Sequence, residues 1–179
     1  MQDQSANQSR VAPHSRTAKF FHWGFIGVFI FALTKQLDEV EELEDFSLLQ
    51  YEMGFAVVFL FLLATRFVFM HSTQPSALPD DTPGRMRLAA RVVHLGMYAG
   101  LALIPITGLC IGGLYWNGIK QGIAMEFFLL AHEIAVNSSY FLIAAHIAAA
   151  WYHRRQNDGI WDAMVPFWKE ARSDGEPLA

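Results

Sequence analysis

The sequence predicts an all-α protein, an integral membrane four-helix up-and-down bundle. Three observations predict it. Apolar residues gather into four segments, roughly 20–36, 48–70, 92–115 and 125–152, each close to the ~20 residues that a helix needs to cross a hydrocarbon core. Charged residues are packed into the two ends and two short internal stretches. The connections between segments are too short to fold separately, so one bundle domain is expected over 18–155. A disordered tail over 1–17 should precede it, and an interfacial tail over 156–179 should follow.

Taken in order, the tail is rich in Gln, Ser, Asn and Arg, carries Pro13 and lacks the apolar h-region of a signal peptide. The first apolar segment is therefore expected to stay as a membrane anchor. An acidic stretch, Asp38, Glu39, Glu41, Glu42, Glu44 and Asp45, leads into the second segment. Such a stretch reads as a solvated entry to a helix, or as a dock for a cationic redox partner. Between the second and third segments, Pro75, Pro79, Asp80, Asp81, Pro83 and Gly84 form a breaker-rich loop. After the fourth, Trp161, Phe167 and Trp168 among charges suit a segment lying along the membrane surface.

If the segments alternate in direction, Arg10, Arg16, Lys19, Arg66, Arg85, Arg87, Arg91, Arg154, Arg155, Lys169 and Arg172 fall on one side, and only Lys35 and Lys120 on the other. Cytoplasmic loops near spans carry the excess of Lys and Arg. Both termini are thus expected in the cytoplasm.

Cys110 is the only cysteine. It excludes an intramolecular disulfide, a cysteine-rich iron–sulfur site and the C-x-x-C-H attachment of a c-type haem. No Gly-rich phosphate loop and no basic patch with interleaved aromatics is present, so nucleotide and nucleic acid have no support as partners.

Five of the seven histidines lie in or at the edge of the apolar segments: His22, His94, His132, His146 and His153. Ionisable side chains at membrane depth are costly and usually face the bundle interior. His132 and His146 are fourteen residues apart on the last segment, just under four turns, which brings them to nearly one face about 21 Å apart. His22 matches the depth of His146 from another helix. Two neutral imidazoles on facing helices can hold one iron from opposite sides. Zinc is a poorer fit, because it wants four ligands clustered together, whereas these histidines are spread along the bundle axis. His94 adds a third histidine to the layer of His22 and His146, where it could bond a propionate, line a quinone pocket with Arg91, or replace His22 as ligand. His153 is one heptad past His146 and suits a propionate contact or a plain interfacial position.

With those residues in hand, the chain resembles the bacterial cytochrome b561 family, small four-helix quinone-linked b-type cytochromes that include a membrane-bound superoxide oxidase. The resemblance covers roughly residues 16–168. It rests on Phe21-His22-Trp23, on Arg66, on the stretch from Arg87 to Tyr98, and on His132-Glu133, Tyr140-Phe141-Leu142, Ala145-His146 and Tyr152-His153. It implies a multi-pass protein of the bacterial inner membrane with two haems b, each between two histidines. His22 and His146 would hold the cytoplasmic-side haem, and His132 would hold the other with a histidine near the outer end of the second helix.

That second histidine is missing. Counting back fourteen residues from Arg66, the family spacing lands on Glu52, within Tyr51-Glu52-Met53-Gly54. Three outcomes follow: Glu52, Tyr51 or Met53 completes an unusual site, His132 alone leaves a five-coordinate iron, or the outer haem is absent. Loss or alteration of this site is the expectation. A methionine ligand would raise the potential, and a carboxylate would favour ferric iron.

An iron closed by two imidazoles suits one-electron transfer better than oxygen chemistry. The expected role is electron transfer between the quinone pool, ubiquinone for example, and a redox partner, either as a cytochrome or as a quinone-linked oxidoreductase. Superoxide oxidation is disfavoured by the six acids before the second helix, because an anion is drawn to positive potential. A haem-bearing or accessory subunit of a larger respiratory complex is the alternative. A histidine-lined transporter lacks the broken helices expected of one.

Overall fold

The computed structural model describes residues 14–37, 39–73 and 82–170. Among them the chain forms α1 (Arg16–Leu33), α2 (Phe46–Thr73), α3 (Gly84–Trp116), α4 (Ile123–Gln156) and α5 (Ile160–Met164), with a 3-10 turn over Val40–Glu44 and no strand. The segment expected as a tail over 1–17 lies outside the described residues as far as residue 13, and α1 begins at Arg16. Asp38 and the loop residues Pro75, Pro79, Asp80 and Asp81 also lie outside them.

Local chemistry sets the helix ends. The Ser15 hydroxyl accepts the Ala18 N–H at 3.1 Å and caps α1. Asp45 does the same for α2, its carboxylate accepting from the Ser47 and Leu48 amides at 2.8 and 3.3 Å. α3 follows Pro83 and stops at Asn117, whose amide donates back to the Gly113 carbonyl at 2.7 Å. α4 ends at Asn157 in the left-handed conformation (φ 52°), one of the residue types that tolerates that region.

Three helices, α2, α3 and α4, are long and apolar enough to cross a membrane. At about 1.5 Å per residue the 33 residues of α3 reach about 50 Å, well beyond a ~30 Å hydrocarbon core. Its ends therefore stand in the polar zones. Large apolar side chains face outward along these helices, with Phe61 69 % and Phe141 74 % exposed alongside Val57, Val68 and Ile147. On a soluble protein so extensive an apolar surface would call for a partner. On helices that satisfy their own backbone it is the surface that meets lipid. The molecule is a membrane helical bundle.

α3 lies at the centre, packed along α4 on one side and α2 on the other, and α1 packs on α2. Lipid gives no hydrophobic drive for helices to associate, so close backbone approach through small residues matters. It occurs where Gly100 of α3 meets the fully buried Ser139 of α4. A Cβ at Gly100 would overlap the Ser139 hydroxyl.

Successive helices are antiparallel, and the bundle has two chemically different ends. At one, His22, Arg66, Tyr98 and His146 meet. At the other, Leu43, Leu49, Ile111, Tyr115 and Met125 form an apolar plug. The plug sits beneath the acidic 3-10 turn, where the Glu42 side chain accepts the Glu39 N–H at 3.0 Å and Lys120 pairs with Glu44 at 2.8 Å.

At the histidine end the C-terminal segment folds back on the start of α1. Lys19 Nζ donates to the Asp162 carbonyl at 2.8 Å, Trp23 Nε1 to the Met164 carbonyl at 3.3 Å, and the His14 amide to the Ala163 carbonyl at 3.2 Å. The Arg154 guanidinium lies over the Trp151 and Trp161 rings at 5.3 and 5.4 Å.

Candidate functional site

Three helices bring three imidazoles together at the histidine end. The rings of His22 (α1) and His146 (α4) have centroids 6.4 Å apart at an interplanar angle of 66°. His94 (α3) stands 5.1 Å from His146 at 79°. His22 and His146 are partly buried, and His94 and Arg91 are exposed on α3.

Arg66 organises this layer from the interior of α2. Its Nη1 donates to the Tyr98 hydroxyl at 2.6 Å and its Nη2 to His22 Nδ1 at 2.8 Å. Its plane lies between the Phe25 and Tyr98 rings, 5.7 and 5.2 Å from their centroids. Nε is buried and has no hydrogen-bond partner among the described residues. A guanidinium only donates, so His22 Nδ1 accepts and the neutral ring carries its proton on Nε2. His94 has the opposite tautomer: its Nδ1 lies 2.7 Å from the Ala90 carbonyl, which only accepts, so the lone pair sits on Nε2.

Nearer the acidic end, His132 and Glu52 line one cleft of about 910 Å³ together with Met53, Gly108 and Phe55. Thr107 fixes the His132 ring. Its hydroxyl lies 2.7 and 3.0 Å from the Leu103 and Ile104 carbonyls, which take its only proton, and 2.9 Å from His132 Nδ1. Nδ1 therefore donates to Thr107 and the lone pair of His132 is on Nε2.

The remaining histidines have other contacts. His153 Nδ1 pairs with Asp158 Oδ2 at 2.6 Å and ties down the end of α4, and His71 stacks on Phe67 with centroids 5.8 Å apart. No group of three or more His, Cys, Asp or Glu side chains able to hold a metal ion occurs among the described residues.

The family model for prokaryotic cytochrome b561 matches residues 13–167. The chain belongs to the prokaryotic cytochrome b561 family. It is similar to cytochrome b561 homolog 1 of Escherichia coli (strain K12), 29 % identical over 119 residues that cover 59 % of this chain and 67 % of the relative. No solved structure matches it. Membership makes this cytochrome b561 chain a membrane b-type cytochrome with an electron-transfer role, and it implies b-type haem.

The residues at the histidine end fit that group. Two imidazoles bound trans to one metal, each nitrogen about 2 Å from it, place their ring centroids about 6 to 6.5 Å apart. The His22–His146 spacing meets this, and the His94–His146 spacing is about 1 Å too short. The unpartnered Arg66 Nε is a buried donor of the kind a propionate carboxylate satisfies. The sequence showed Arg66 as a positive charge at a helix end, as part of the family resemblance and as the origin of the count to Glu52, but not its place beside His22. The available signal was an arginine within an apolar span. Thr107 gave no sequence signal, since it only reveals its role through a contact with another helix.

Proposed function

We propose that this chain passes single electrons between the quinone pool and a redox partner through haem b held by His22 and His146. The observation that carries the reading is the spacing of their rings, which suits one metal between them where the His94 spacing does not. Bound there, haem b supplies a one-electron iron couple. With His22 and His146 both holding it, the group would favour electron transfer over oxygen chemistry.

Ligation through Nε2 of His22 carries a condition. The ring would have to carry its proton on Nδ1 in place of Nε2, and Arg66 would then have to turn its donor away from Nδ1. A propionate carboxylate offers Arg66 a charged acceptor in exchange. His94 and Arg91 then have a different task. Nε2 of His94 presents a lone pair to a quinol hydroxyl, and Arg91 supplies donors for a quinone carbonyl.

α1 is read as the fourth span. Its 18 residues reach about 27 Å, close to the ~30 Å core. Its Phe25 and Phe31 pack on Phe59 and Phe55 of α2 at 5.1 and 5.9 Å. The arginine-rich histidine end is read as the cytoplasmic side of an inner membrane, with both termini there.

Haem content and quinol-driven reduction of three variants test this. His22→Ala and His146→Ala are expected to lose the low-spin haem spectrum, while His94→Ala keeps it and is reduced more slowly by quinol. Retention of the low-spin haem in His22→Ala with its loss in His94→Ala would overturn the assignment.

A further inference from the structure

We propose that the cleft near the acidic end holds a second haem b whose axial residues are His132 and Glu52, an imidazole facing a carboxylate where the family resemblance implies two imidazoles. The inference rests on the reading that this chain binds haem b.

Size comes first. Ligand pockets range over about 300–1,000 Å³, and this cleft, about 910 Å³, is at the upper end. A single quinone ring would leave most of it unfilled, whereas a porphyrin is a group of matching extent. α3 contributes Gly108 and Gly112 to the lining. A Cβ at Gly108 would come within 3.8 Å of the His132 ring, so the wall beside the imidazole is bare backbone.

The orientation of His132 is the second observation. The Thr107 oxygen accepts from His132 Nδ1–H and so leaves the lone pair on Nε2, the arrangement by which an outer partner prepares a histidine to bind metal. His22 lacks this preparation, because Arg66 faces its Nδ1.

Of the three residues that could stand opposite, Tyr51 turns away from the cleft, and Met53, although it lines the cleft, is packed against α3. Tyr51 is 45 % exposed on the outer face of α2 and its ring stacks on Phe55. Met53 has its Cγ and Sδ 2.9 and 3.2 Å from where a Gly112 Cβ would stand, so its thioether is seated against the α3 backbone beside the apolar plug. Glu52 lines the cleft, is partly buried within a membrane-crossing helix, and has no hydrogen bond or ion pair to any described residue. A carboxylate on a membrane-crossing helix is costly unless it is paired or binds a cation. Ferric iron would give this carboxylate a cation, and Lys35 at the cleft lining suits a propionate.

An oxygen donor exerts a weaker ligand field than imidazole, so the predicted signature is a high-spin ferric haem beside the low-spin one. The test is haem-to-protein stoichiometry and low-temperature electron paramagnetic resonance on the purified full chain. Two haems per chain, one of each spin state, are expected in the parent protein. Glu52→Gln should alter or abolish the high-spin signal alone, and Glu52→His should convert it to a second low-spin signal. The low-spin signal of the other site serves in both variants as the control for folding. One wholly low-spin haem per chain would overturn the inference and leave the His22–His146 reading standing. So would a high-spin signal indifferent to both substitutions, or quinone bound in the cleft in place of a second haem. Absence of all haem would instead overturn the proposed function on which this one rests.

Discussion

The two ends of the bundle prepare their histidines in opposite ways. At the histidine end, an arginine inside the bundle donates to His22, three imidazoles crowd together, and a folded C-terminal segment closes over the start of α1. At the acidic end one histidine, already in the metal-binding tautomer through Thr107, looks into a roomy cleft that it shares with a carboxylate that has no partner among the described residues. The first end has imidazoles in surplus and a cation among them. The second has room and negative charge. On the two proposals above, one bundle offers two sites of different potential, since axial ligand identity and neighbouring charge are among the levers a protein has on iron.

The largest effect should come from breaking the crowded end at its shared member. His146 faces both His22 and His94, so no rearrangement between the other two restores a pair across its position. His146→Ala is expected to remove one haem per chain completely while the high-spin signal of the His132 end persists, and His132→Ala to do the reverse. Pyridine haemochrome stoichiometry with resonance spectra of both variants checks this. Loss of both haems from His146→Ala would show that the ends are not independent.

A smaller effect is expected from the residues behind the ligands. Outer partners of metal-binding histidines are worth about 10–100-fold in affinity. Arg66→Gln, which removes the charge offered to a propionate, should speed haem loss from the histidine end and leave the other end unchanged. Arg66→Lys should recover part of the loss, as it restores the charge without the planar fork. Thr107→Val should act in mirror image, weakening only the site at His132. Haem transfer to an acceptor protein, followed at two wavelengths, separates the two rates.

How far the sequence disclosed these sites follows from the physics of each. Hydrophobic runs of membrane length are legible because lipid forces every backbone group to be satisfied within a helix, and α2, α3 and α4 stand where those runs are. α1 is less plain, since Arg16, Lys19 and His22 occupy its first two turns. The depth match of His22 with His146 was readable from helical rise. The tautomers were not, because they depend on Arg66 and Thr107, which approach from other helices. The rotation of α2, which turns Tyr51 outward and sets Met53 against Gly112, was likewise not readable from the sequence.

Between the ends, the contact of Gly100 with Ser139 holds α3 to α4. Gly100→Val should destabilise the bundle by about 1–3 kcal/mol, the range for overpacking a close contact. Because the contact lies between the two sites, haem release on heating should accelerate at both ends together. A change confined to one end would mean that α3 and α4 separate locally and not as a unit.

The smallest effect is a pH dependence belonging to the acidic end alone. The hydrogen bond and charge of Lys120 hold the Glu44 carboxyl below its ordinary value, and the Ser47 hydroxyl and amide do the same for Asp45. A carboxyl whose value is depressed on folding contributes stability that is present above its unfolded value, near pH 4, and is lost as pH falls through the folded one. Both groups are exposed, so salt screens the Lys120–Glu44 pair but has little hold on the short-range Asp45 cap. Thermal unfolding in detergent should therefore show a slight loss of stability below about pH 4. Lys120→Met should remove the salt-sensitive part, and Asp45→Asn, which keeps a capping oxygen, most of the remainder. If the loss persists undiminished in the double variant, the acid-sensitive group lies elsewhere, and Glu52 in the cleft becomes the next carboxyl to substitute.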